Sequence, residues 1–436
     1  MNQTLKNGKN LETETGRMFT IKKLIGSGGQ GEVYEIDMEG RPFALKWYFI
    51  DKGTEEQRGI IERLIKEGSP NERFLWPLCM VDSPDLETFG YIMPLRERNF
   101  AGIIDMMTGK ASPSFRTLCS AAYELVDSYQ KLHSLGRCYR DISFGNVFFD
   151  PKTGKVRICD NDNVTIDGAA LCGVGGTQRF MAPEIVRGVA SPSIDTDRFS
   201  LAVLLFYMLM MHHPLEGKKE LDIHCLDGHT MKKLYGVEPI FIWNPKNTSN
   251  TPDPVEQRTP IIYWSIYPKF IKALFIKTFT IGIKKPKERV VETEWRRAFI
   301  QLRDSITYCG KCGAENFYDA DKLQNNEPHI CWKCGNMVKL PPRIKVGKSE
   351  IILNFDTKLY AHHLVKMADF DFKAPMAELS THPQNPNIWG LKNLSRETWV
   401  MTTPEGLVSK IPPGKNVLIA LGIVINFGST EGEIRF

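Results

Sequence analysis

Three candidate site residues, in the order Asp, Asn, Asp, occur in the stretches YRDISFGNVFF, residues 139–149, and ICDND, residues 158–162. Asp141 and Asn146 lie five residues apart, and Asp160 follows the apolar residues that predict a short strand. A carboxylate, an amide oxygen and a second carboxylate in this order could take up a hydroxyl proton and hold a magnesium ion. One such pair arises often by chance, so the interpretation depends on the rest of the chain.

A glycine-rich stretch precedes these residues. GSGGQGEV, residues 26–33, has glycines at Gly26, Gly28 and Gly31, which let backbone amides approach phosphate oxygens. A plain glycine-rich hairpin is the alternative for this stretch taken alone. A dinucleotide-binding turn is disfavoured because Val33-Tyr34-Glu35 continues as a strand and no helix follows.

A lysine on the next predicted strand completes the phosphate-binding set. Lys46 follows Ala44 and Leu45 and could contact the α and β phosphates, although a surface lysine is the alternative for this residue alone. A carboxylate on a neighbouring helix should hold it. Glu62 is the predicted partner, with Glu56 and Glu67 left open as alternatives.

Taken together, these motifs resemble the protein kinase superfamily over about two-thirds of the chain. The resemblance implies an α+β, bilobal fold with a β-rich N-lobe and a helical C-lobe. It implies catalytic roles for Lys46, Asp141, Asn146 and Asp160, with Asn146 and Asp160 holding magnesium (or manganese) and ATP as the phosphate donor. Thr177 aligns with the threonine that contacts the catalytic aspartate in serine/threonine kinases.

Further kinase-like stretches predict structural contacts. GTQRFMAPE, residues 176–184, resembles the end of an activation segment. Asp197 resembles the buried aspartate that anchors the catalytic loop, and Arg289 the arginine that pairs with Glu184.

The resemblance also places the adenine ring. It makes Met93 the gatekeeper, and it assigns hydrogen bonds to the carbonyl of Pro94 and the amide of Arg96. The residues that would sandwich the ring are Val33, Ala44 and Phe148.

Three positions depart from the kinase pattern. Tyr139 replaces the usual histidine, Ser143 the usual lysine, and Asp160-Asn161-Asp162 the D-F-G triplet. Arg179 is a candidate to replace the missing cation. Two functions are therefore weighed: an active kinase that transfers phosphate to Ser/Thr hydroxyls and to itself, and a pseudokinase that acts as a nucleotide-binding scaffold.

Two CxxCG stretches predict a metal centre. Cys309 and Cys312, then Cys331 and Cys334, place two thiolates on each of two tight turns, and the glycine after each pair lets the turn close. Four thiolates suit a closed, structural zinc site. A redox CxxC or a pair of disulfides is the alternative.

Residues 345–436 return to short strand-like runs and predict a small β-sandwich. Residues 390–428 loosely resemble the second half of a forkhead-associated domain. Ser395-Arg396-Glu397-Thr398 has glutamate where the family's phosphothreonine readers have asparagine. A degenerate docking or autoinhibitory module is therefore expected in preference to a phosphopeptide reader.

The predicted organisation is a polar, frayed leader at 1–16, a kinase domain at 17–305, a zinc ribbon at 306–340 and the β-sandwich at 345–436.

A formal charge of +5 on 436 residues gives no reason to expect a nucleic-acid partner. No membrane association is expected, and the cysteine pattern suggests the cytoplasm. The arrangement is similar to bacterial kinases of tellurite-resistance-type clusters, which implies a von Willebrand A-type protein and a metal-dependent phosphatase as partners.

Overall fold

A computed structural model describes residues 3–83, 85–168 and 176–436 of the chain. These residues form two compact units. The first unit comprises Met1–Tyr263 and Ala273–Arg296, and the second comprises Trp264–Lys272 and Arg297–Phe436.

A six-stranded antiparallel sheet opens the first unit, with strand order β1-β2-β3-β4-β6-β5. Its register sets Val33 opposite Lys46 and Ala44 opposite Met93. The strands are β1 (Asn10–Glu12), β2 (Met18–Ser27), β3 (Gly31–Met38), β4 (Arg41–Tyr48), β5 (Cys79–Asp82) and β6 (Phe89–Pro94). The glycine-rich stretch therefore spans the end of β2, the turn after it and the start of β3, between two strands as predicted.

The expected frayed leader is not found in residues 3–16. Strand β1 pairs with β2, and Leu5 and Leu11 are buried in the core of the sheet with Phe19 and Ile21. The Leu5 amide donates to the Tyr34 hydroxyl at 3.0 Å. Burial of these two apolar side chains, together with the β1–β2 pairing, holds the polar leader in the sheet.

Helix α1 (Glu55–Glu67) confirms the helical spacing seen in the sequence. Thr54 caps its N-terminus by accepting from the amide of Gln57 at 3.2 Å. Ile61 and Leu64 form its buried face, and Gly68, with a φ of 76°, ends it.

The rest of the first unit is largely helical, with short strands at the loops that carry the motifs. Helix α5 is buried along most of its length, as an almost continuous apolar run predicts. The elements are β7 (Ala101–Gly102), α2 (Ile103–Met107), α3 (Phe115–Ser134), β8 (Arg137–Cys138), β9 (Val147–Phe149), β10 (Val156–Ile158), β11 (Thr165–Ile166), α4 (Pro183–Arg187), α5 (Ile194–Met210), α6 (Lys218–Leu221), α7 (Gly228–Lys232), α8 (Arg258–Ile266), α9 (Lys269–Phe279), α10 (Ile281–Lys284) and α11 (Glu292–Asp304), the last part of α8, the start of α9 and the end of α11 belonging to the second unit. None of the helices in the described ranges is both long and apolar enough to cross a membrane.

The unit boundary differs from the predicted domain boundary at 305. Trp264–Lys272 clusters with the second unit, where the ring of Tyr267 lies 5.1 Å from that of Phe317. No local pattern predicts this contact, because its partners lie fifty residues apart along the chain.

The second unit contains the two cysteine turns and two larger sheets. The sheets have strand orders β15-β14-β23-β22-β19-β20 and β16-β17-β18-β21, and both contribute to one buried apolar core. The elements are β12 (Ile306–Tyr308), β13 (Glu315–Phe317), α12 (Ala320–Gln324), β14 (Arg343–Val346), β15 (Ser349–Ile352), β16 (Lys358–Tyr360), α13 (Ala361–Leu364), β17 (Pro375–His382), β18 (Asn385–Asn393), β19 (Trp399–Thr402), β20 (Val408–Ile411), β21 (Asn416–Leu418), β22 (Val424–Asn426) and β23 (Glu431–Arg435). Two sheets around a shared core are the arrangement that a β-sandwich requires.

Candidate active site and metal centre

A cavity of about 1090 Å³ in the first unit brings most of the predicted site residues together. It is lined by side chains or backbone of Gly26, Gly28, Gly31, Val33, Ala44, Lys46, Met93, Pro94, Arg96, Asp141, Phe148 and Asp160. Asn146 is buried and bonded to Asp141. Glu62 is absent from the lining of this cavity.

Gly31, the first residue of β3, is the one glycine of the glycine-rich stretch at which packing excludes a side chain. A Cβ atom there would lie 2.1 Å from the carbonyl oxygen of Trp47, whereas Gly26, Gly28 and Gly29 have open space. The close backbone approach of β3 to β4 therefore requires glycine at this position.

Gly31→Ala should lower the free energy of unfolding by about 1–3 kcal/mol, because the Trp47 backbone has to shift. The matched variant Gly29→Ala should stay within about 0.5 kcal/mol of wild type. Urea denaturation of both variants is the measurement. Equal effects would contradict the packing argument.

The Asp141 carboxylate is held on both oxygens. Its Oδ1 accepts from the amide (2.8 Å) and the hydroxyl (2.9 Å) of Thr177. Its Oδ2 accepts from Nδ2 of Asn146 at 3.0 Å. The contact expected for Thr177 is thus present, and Nδ2 is the atom of the Asn146 amide that bonds Asp141.

A buried carboxylate anchors the loop that carries Asp141. Asp197, 1% exposed, accepts from the backbone amides of Tyr139 (2.5 Å) and Arg140 (3.0 Å). Arg140 has a φ of 73°, a left-handed conformation that these bonds maintain. The anchoring role expected of Asp197 is therefore observed.

His133 joins this anchor to helix α11. Its two ring nitrogens lie 3.1 Å from Asp197 and 2.8 Å from Glu292, so both must carry protons to donate. Burial alone would lower the pKa of His133, but the bonds to the two carboxylates outweigh it and raise the pKa to about 9. Arg198 also contacts Glu292, whose pKa falls to about 2 despite burial, because of its bonds to His133 and Arg198.

The stability of the first unit should therefore fall at alkaline pH. A folded-state pKa raised above the unfolded value of about 6.5 gives stability that is fully present below pH 6.5 and is lost as pH rises through about 9. The expected loss is about 3 kcal/mol. Urea denaturation at pH 6 and pH 9.5 measures it. His133→Gln should abolish this pH dependence, and a slope retained in that variant would contradict the assignment.

Two arginines with predicted roles can be compared with the geometry. Arg289 pairs with Glu184 through two bonds of 2.7 and 2.8 Å, as expected, and its side chain is fully buried. Arg179 does not face the cavity as a spare cation. It binds Glu216 instead, with its Nε 2.9 Å from Oε1, because this buried carboxylate needs a charged partner.

Tyrosine and asparagine take polar roles at two of the departures. The Tyr139 hydroxyl donates to the carbonyl of Cys159, the residue before Asp160. Asn161 is fully buried and donates to the carbonyls of Leu75 (2.8 Å) and Ile158 (3.1 Å). Hydrogen bonds thus hold the segment around Asp160 where the kinase pattern has an aromatic contact.

The predicted pairing of Lys46 with Glu62 is wrong. Glu62, half exposed, lies 2.9 Å from the Nε of Arg58 one turn earlier on α1. The Lys46 ammonium instead contacts Asp162 at 2.7 Å, Gln30 at 2.9 Å and Asp160 at 3.7 Å. Burial lowers the pKa of Lys46, but Asp162 and Asp160 outweigh it, so the pKa is raised.

The alternatives on α1 do not hold Lys46 either. Glu67 pairs with Arg137, and Glu56 lines the cavity without a bond to Lys46 among those the structure describes. The partner that was missed, Asp162, stands where the D-F-G pattern has glycine. An acidic residue at that position was the available signal.

Arg96 takes an unexpected position in the region predicted to form the adenine pocket. The Arg96 guanidinium lies 3.7 Å from the centre of the Phe148 ring and donates to the carbonyl of Phe100 at 2.9 Å. It covers the ring that was expected to form one side of the adenine pocket. Pro94 and Met93 line the cavity, as expected for the hinge.

A family model described as "Protein kinase domain" matches residues 19–280, which is more than half of the chain. This chain belongs to the protein kinase family. The β-rich and helical parts of its kinase domain are the two lobes that this membership implies.

The chain is similar to several curated kinases. It is 29% identical over 235 residues to β-adrenergic receptor kinase 1 of Mesocricetus auratus, covering 49% of this chain and 32% of the relative. It is 28% identical over 216 residues to protein kinase C delta type of Mus musculus, covering 46% and 30%. It is 27% identical over 214 residues to a probable cell cycle serine/threonine-protein kinase, a CDC5 homologue, of Encephalitozoon cuniculi, covering 47% and 44%.

The chain thus spans less than half the length of these relatives. The family model covers residues 19–280, and the relatives support the serine/threonine class. All three come from eukaryotes, so the bacterial context still rests on the sequence resemblance alone.

Outside the kinase match, four sulfur atoms gather in the second unit. The Sγ atoms of Cys309, Cys312, Cys331 and Cys334 all lie within 4.8 Å of one another, and two of the separations are 3.6 Å. Zn–S bonds of about 2.3 Å in a tetrahedron place sulfurs about 3.8 Å apart, so the group fits zinc.

Each cysteine turn closes through the glycine that follows it. The amide of Gly313 donates to the carbonyl of Cys309 (2.8 Å), and that of Gly335 to Cys331 (2.9 Å). Both glycines have a φ of 70°, which side-chain-bearing residues rarely adopt. The turn chemistry predicted from CxxCG is confirmed.

Amide donors support the sulfur atoms. Nδ2 of Asn336 lies 3.3 Å from the Cys334 sulfur, and Nδ2 of Asn316 lies 3.6 Å from that of Cys331. The backbone and side-chain amides of Asn336 lower the pKa of Cys334 to about 6. Such donors favour the thiolate, the form that binds a metal.

The Ser395 turn of the β domain is part of a buried clamp. The Ser395 hydroxyl donates to Asn393 at 2.7 Å and accepts from the Trp399 indole at 3.1 Å. Asn393, fully buried, donates to the carbonyls of Glu397 and Ile411. Ser395 is therefore committed to internal bonds.

Proposed function

We propose that this kinase transfers the γ-phosphoryl group of Mg-ATP to serine or threonine hydroxyls of proteins, including its own. The observation that carries this proposal is the Asp141 carboxylate held by Thr177 on one oxygen and by Asn146 on the other. These bonds orient a base without neutralising it. A carboxylate placed in this way can accept the hydroxyl proton of a protein substrate.

The chain offers a fitting donor set for magnesium. Burial raises the pKa of Asp160, with the neighbouring Asp162 and Asp141 adding to the effect, although Lys46 opposes it. A divalent cation would relieve this crowding of negative charge. Asp160 and the amide oxygen of Asn146 would hold the ion, which supplies charge neutralisation on the phosphates, and Lys46 would orient the α and β phosphates.

A pseudokinase is the second candidate, and two observations favour it. Arg96 covers the Phe148 ring of the predicted adenine pocket, and Ser143 leaves the site without the usual lysine. Neither removes a group that holds magnesium or accepts the proton. The intact set of Lys46, Asp141, Asn146 and Asp160 favours the active kinase.

The test is incorporation of radiolabelled γ-phosphate into the full chain and into a generic acceptor protein. Wild type should exceed Lys46→Ala, and mass spectrometry should place the label on serine or threonine. Wild-type incorporation equal to that of Lys46→Ala, with nucleotide still bound, would establish the scaffold function instead.

For the second unit we propose a structural zinc ion on the four cysteines and a docking or autoinhibitory role for the β domain. The internal bonds of Ser395 and the carboxylate at Glu397 argue against a phosphothreonine pocket. The von Willebrand A-type and phosphatase partners remain proposals that rest on resemblance.

A further inference from the structure

The buried carboxylate that pairs with Lys46 belongs to the segment that follows Asp160. Asp162 is 1% exposed and Lys46 is 4% exposed. Oδ2 of Asp162 accepts from the Lys46 ammonium at 2.7 Å and from the Tyr48 hydroxyl at 2.5 Å. A buried ammonium is costly unless a paired anion compensates it, so the structure depends on this contact.

Helix α1 reaches the same group with an amide in place of a carboxylate. Nε2 of Gln57 donates to the Tyr48 hydroxyl at 3.1 Å. The hydroxyl in turn donates to Asp162. Helix α1, Tyr48 and Asp162 thus form one hydrogen-bonded chain that ends on Lys46.

The position of the carboxylate affects the predicted metal site. The second anion near Lys46 is Asp160, at 3.7 Å, which is a proposed magnesium ligand. While Asp162 takes the short contact, Asp160 keeps its charge for the metal. Without Asp162, the ammonium would move toward Asp160 and compete with the cation.

We propose that Asp162 is the positioning residue for Lys46 and supplies the carboxylate that helix α1 does not, with Gln57 and Tyr48 linking α1 to the pair. The inference rests on the proposed function for its kinetic consequences. Its structural consequences do not depend on phosphate transfer.

The experiment compares Asp162→Asn with Asp82→Asn in the full chain. Asp82 is a half-exposed partner of Arg58 on β5 and serves as a matched loss of one carboxylate. Asp162→Asn should lower kcat/KM for ATP by roughly 100-fold. It should also weaken binding of a non-hydrolysable ATP analogue and lower the Tm of the nucleotide-free protein by about 5 °C or more. Asp82→Asn should match wild type in all three measurements.

The decisive variant removes the carboxylate at position 162 and places one on helix α1 instead. Asp162→Asn combined with Gln57→Glu should recover at least about tenfold of the lost kcat/KM, together with part of the Tm, because a carboxylate at position 57 would bond the Tyr48 hydroxyl, and the Tyr48 ring centre lies 5.5 Å from the Lys46 ammonium. If Asp162→Asn alone does not fold, recovery of a folded protein in the double variant supports the proposal. Failure of both to fold overturns it.

Tyr48→Phe tests the link alone. It keeps the Lys46–Asp162 pair, so the loss of kcat/KM should stay below about tenfold. Three results would each overturn the proposal. Asp162→Asn could match Asp82→Asn in all measurements, or the added Gln57→Glu could restore no kcat/KM. Tyr48→Phe could also lower kcat/KM as much as Asp162→Asn does. If wild type transfers no phosphate, the proposed function fails, and analogue binding and Tm still decide the role of Asp162.

Discussion

Asp141→Asn should reduce phosphate transfer by about 100- to 10,000-fold, the range that general acid–base groups contribute. The amide oxygen can still accept from Thr177, although the new Nδ2 loses the bond that Oδ2 accepted from Asn146. The amide is close in size to the carboxylate, so the loop should keep its shape. It cannot take a proton from the substrate hydroxyl at neutral pH. The loss should therefore appear in kcat, with little change in the KM for ATP, when initial rates are measured over a range of ATP concentrations.

Asp82→Asn is the matched control for this experiment, since it removes an exposed carboxylate far from the catalytic loop in sequence. Its rate should equal that of wild type. A transfer rate for Asp141→Asn within threefold of wild type would show that Asp141 is not the base. A large rise in KM without a fall in kcat would assign it to nucleotide binding.

Cys331→Ser should remove the metal from the second unit. Wild type is expected to carry one zinc per chain by elemental analysis, and the variant close to none. Structural zinc contributes about 10–16 kcal/mol of apparent binding free energy in small zinc domains, so losing a ligand should unfold the cysteine turns. Limited proteolysis should then cut within residues 306–340, where wild type resists.

Cys225→Ser is the control here, because Cys225 is an exposed thiol outside the four-sulfur group. Its zinc content and its proteolysis pattern should be those of wild type. Zinc-free wild-type protein, or unchanged metal content in Cys331→Ser, would contradict the assignment. Treatment of the wild-type protein with a chelator should cause the same loss of zinc and the same proteolysis as Cys331→Ser.

Local spacing made several site features predictable. The turn from β2 to β3, the loop around Asp141 and the two cysteine turns each depend on residues within about ten positions of one another. Glycine at a left-handed φ, as at Gly313, and a capping residue before a helix, as at Thr54, act on their immediate neighbours. A sequence reports such relations directly.

Other features required the folded chain. The leader was expected to fray because its composition is polar, yet burial of Leu5 docks it on the sheet. Arg179 had the right charge for the γ-phosphate, but Glu216, 37 residues away, holds it. Spacing along the chain gives no distance between such residues, so composition alone pointed the wrong way.

By itself, the sequence determined that this chain has a kinase domain and which cysteines gather, and it identified the candidate residues for the phosphates and the magnesium ion. The tertiary structure alone decided which carboxylate holds Lys46. Glu62 and Asp162 both carry a carboxylate that could pair with Lys46. Oδ2 of Asp162 lies 2.7 Å from the ammonium of Lys46, 116 residues away in sequence, whereas the half-exposed Glu62 pairs with Arg58. The strength of an ion pair depends on distance and burial, and both are properties of the packed chain.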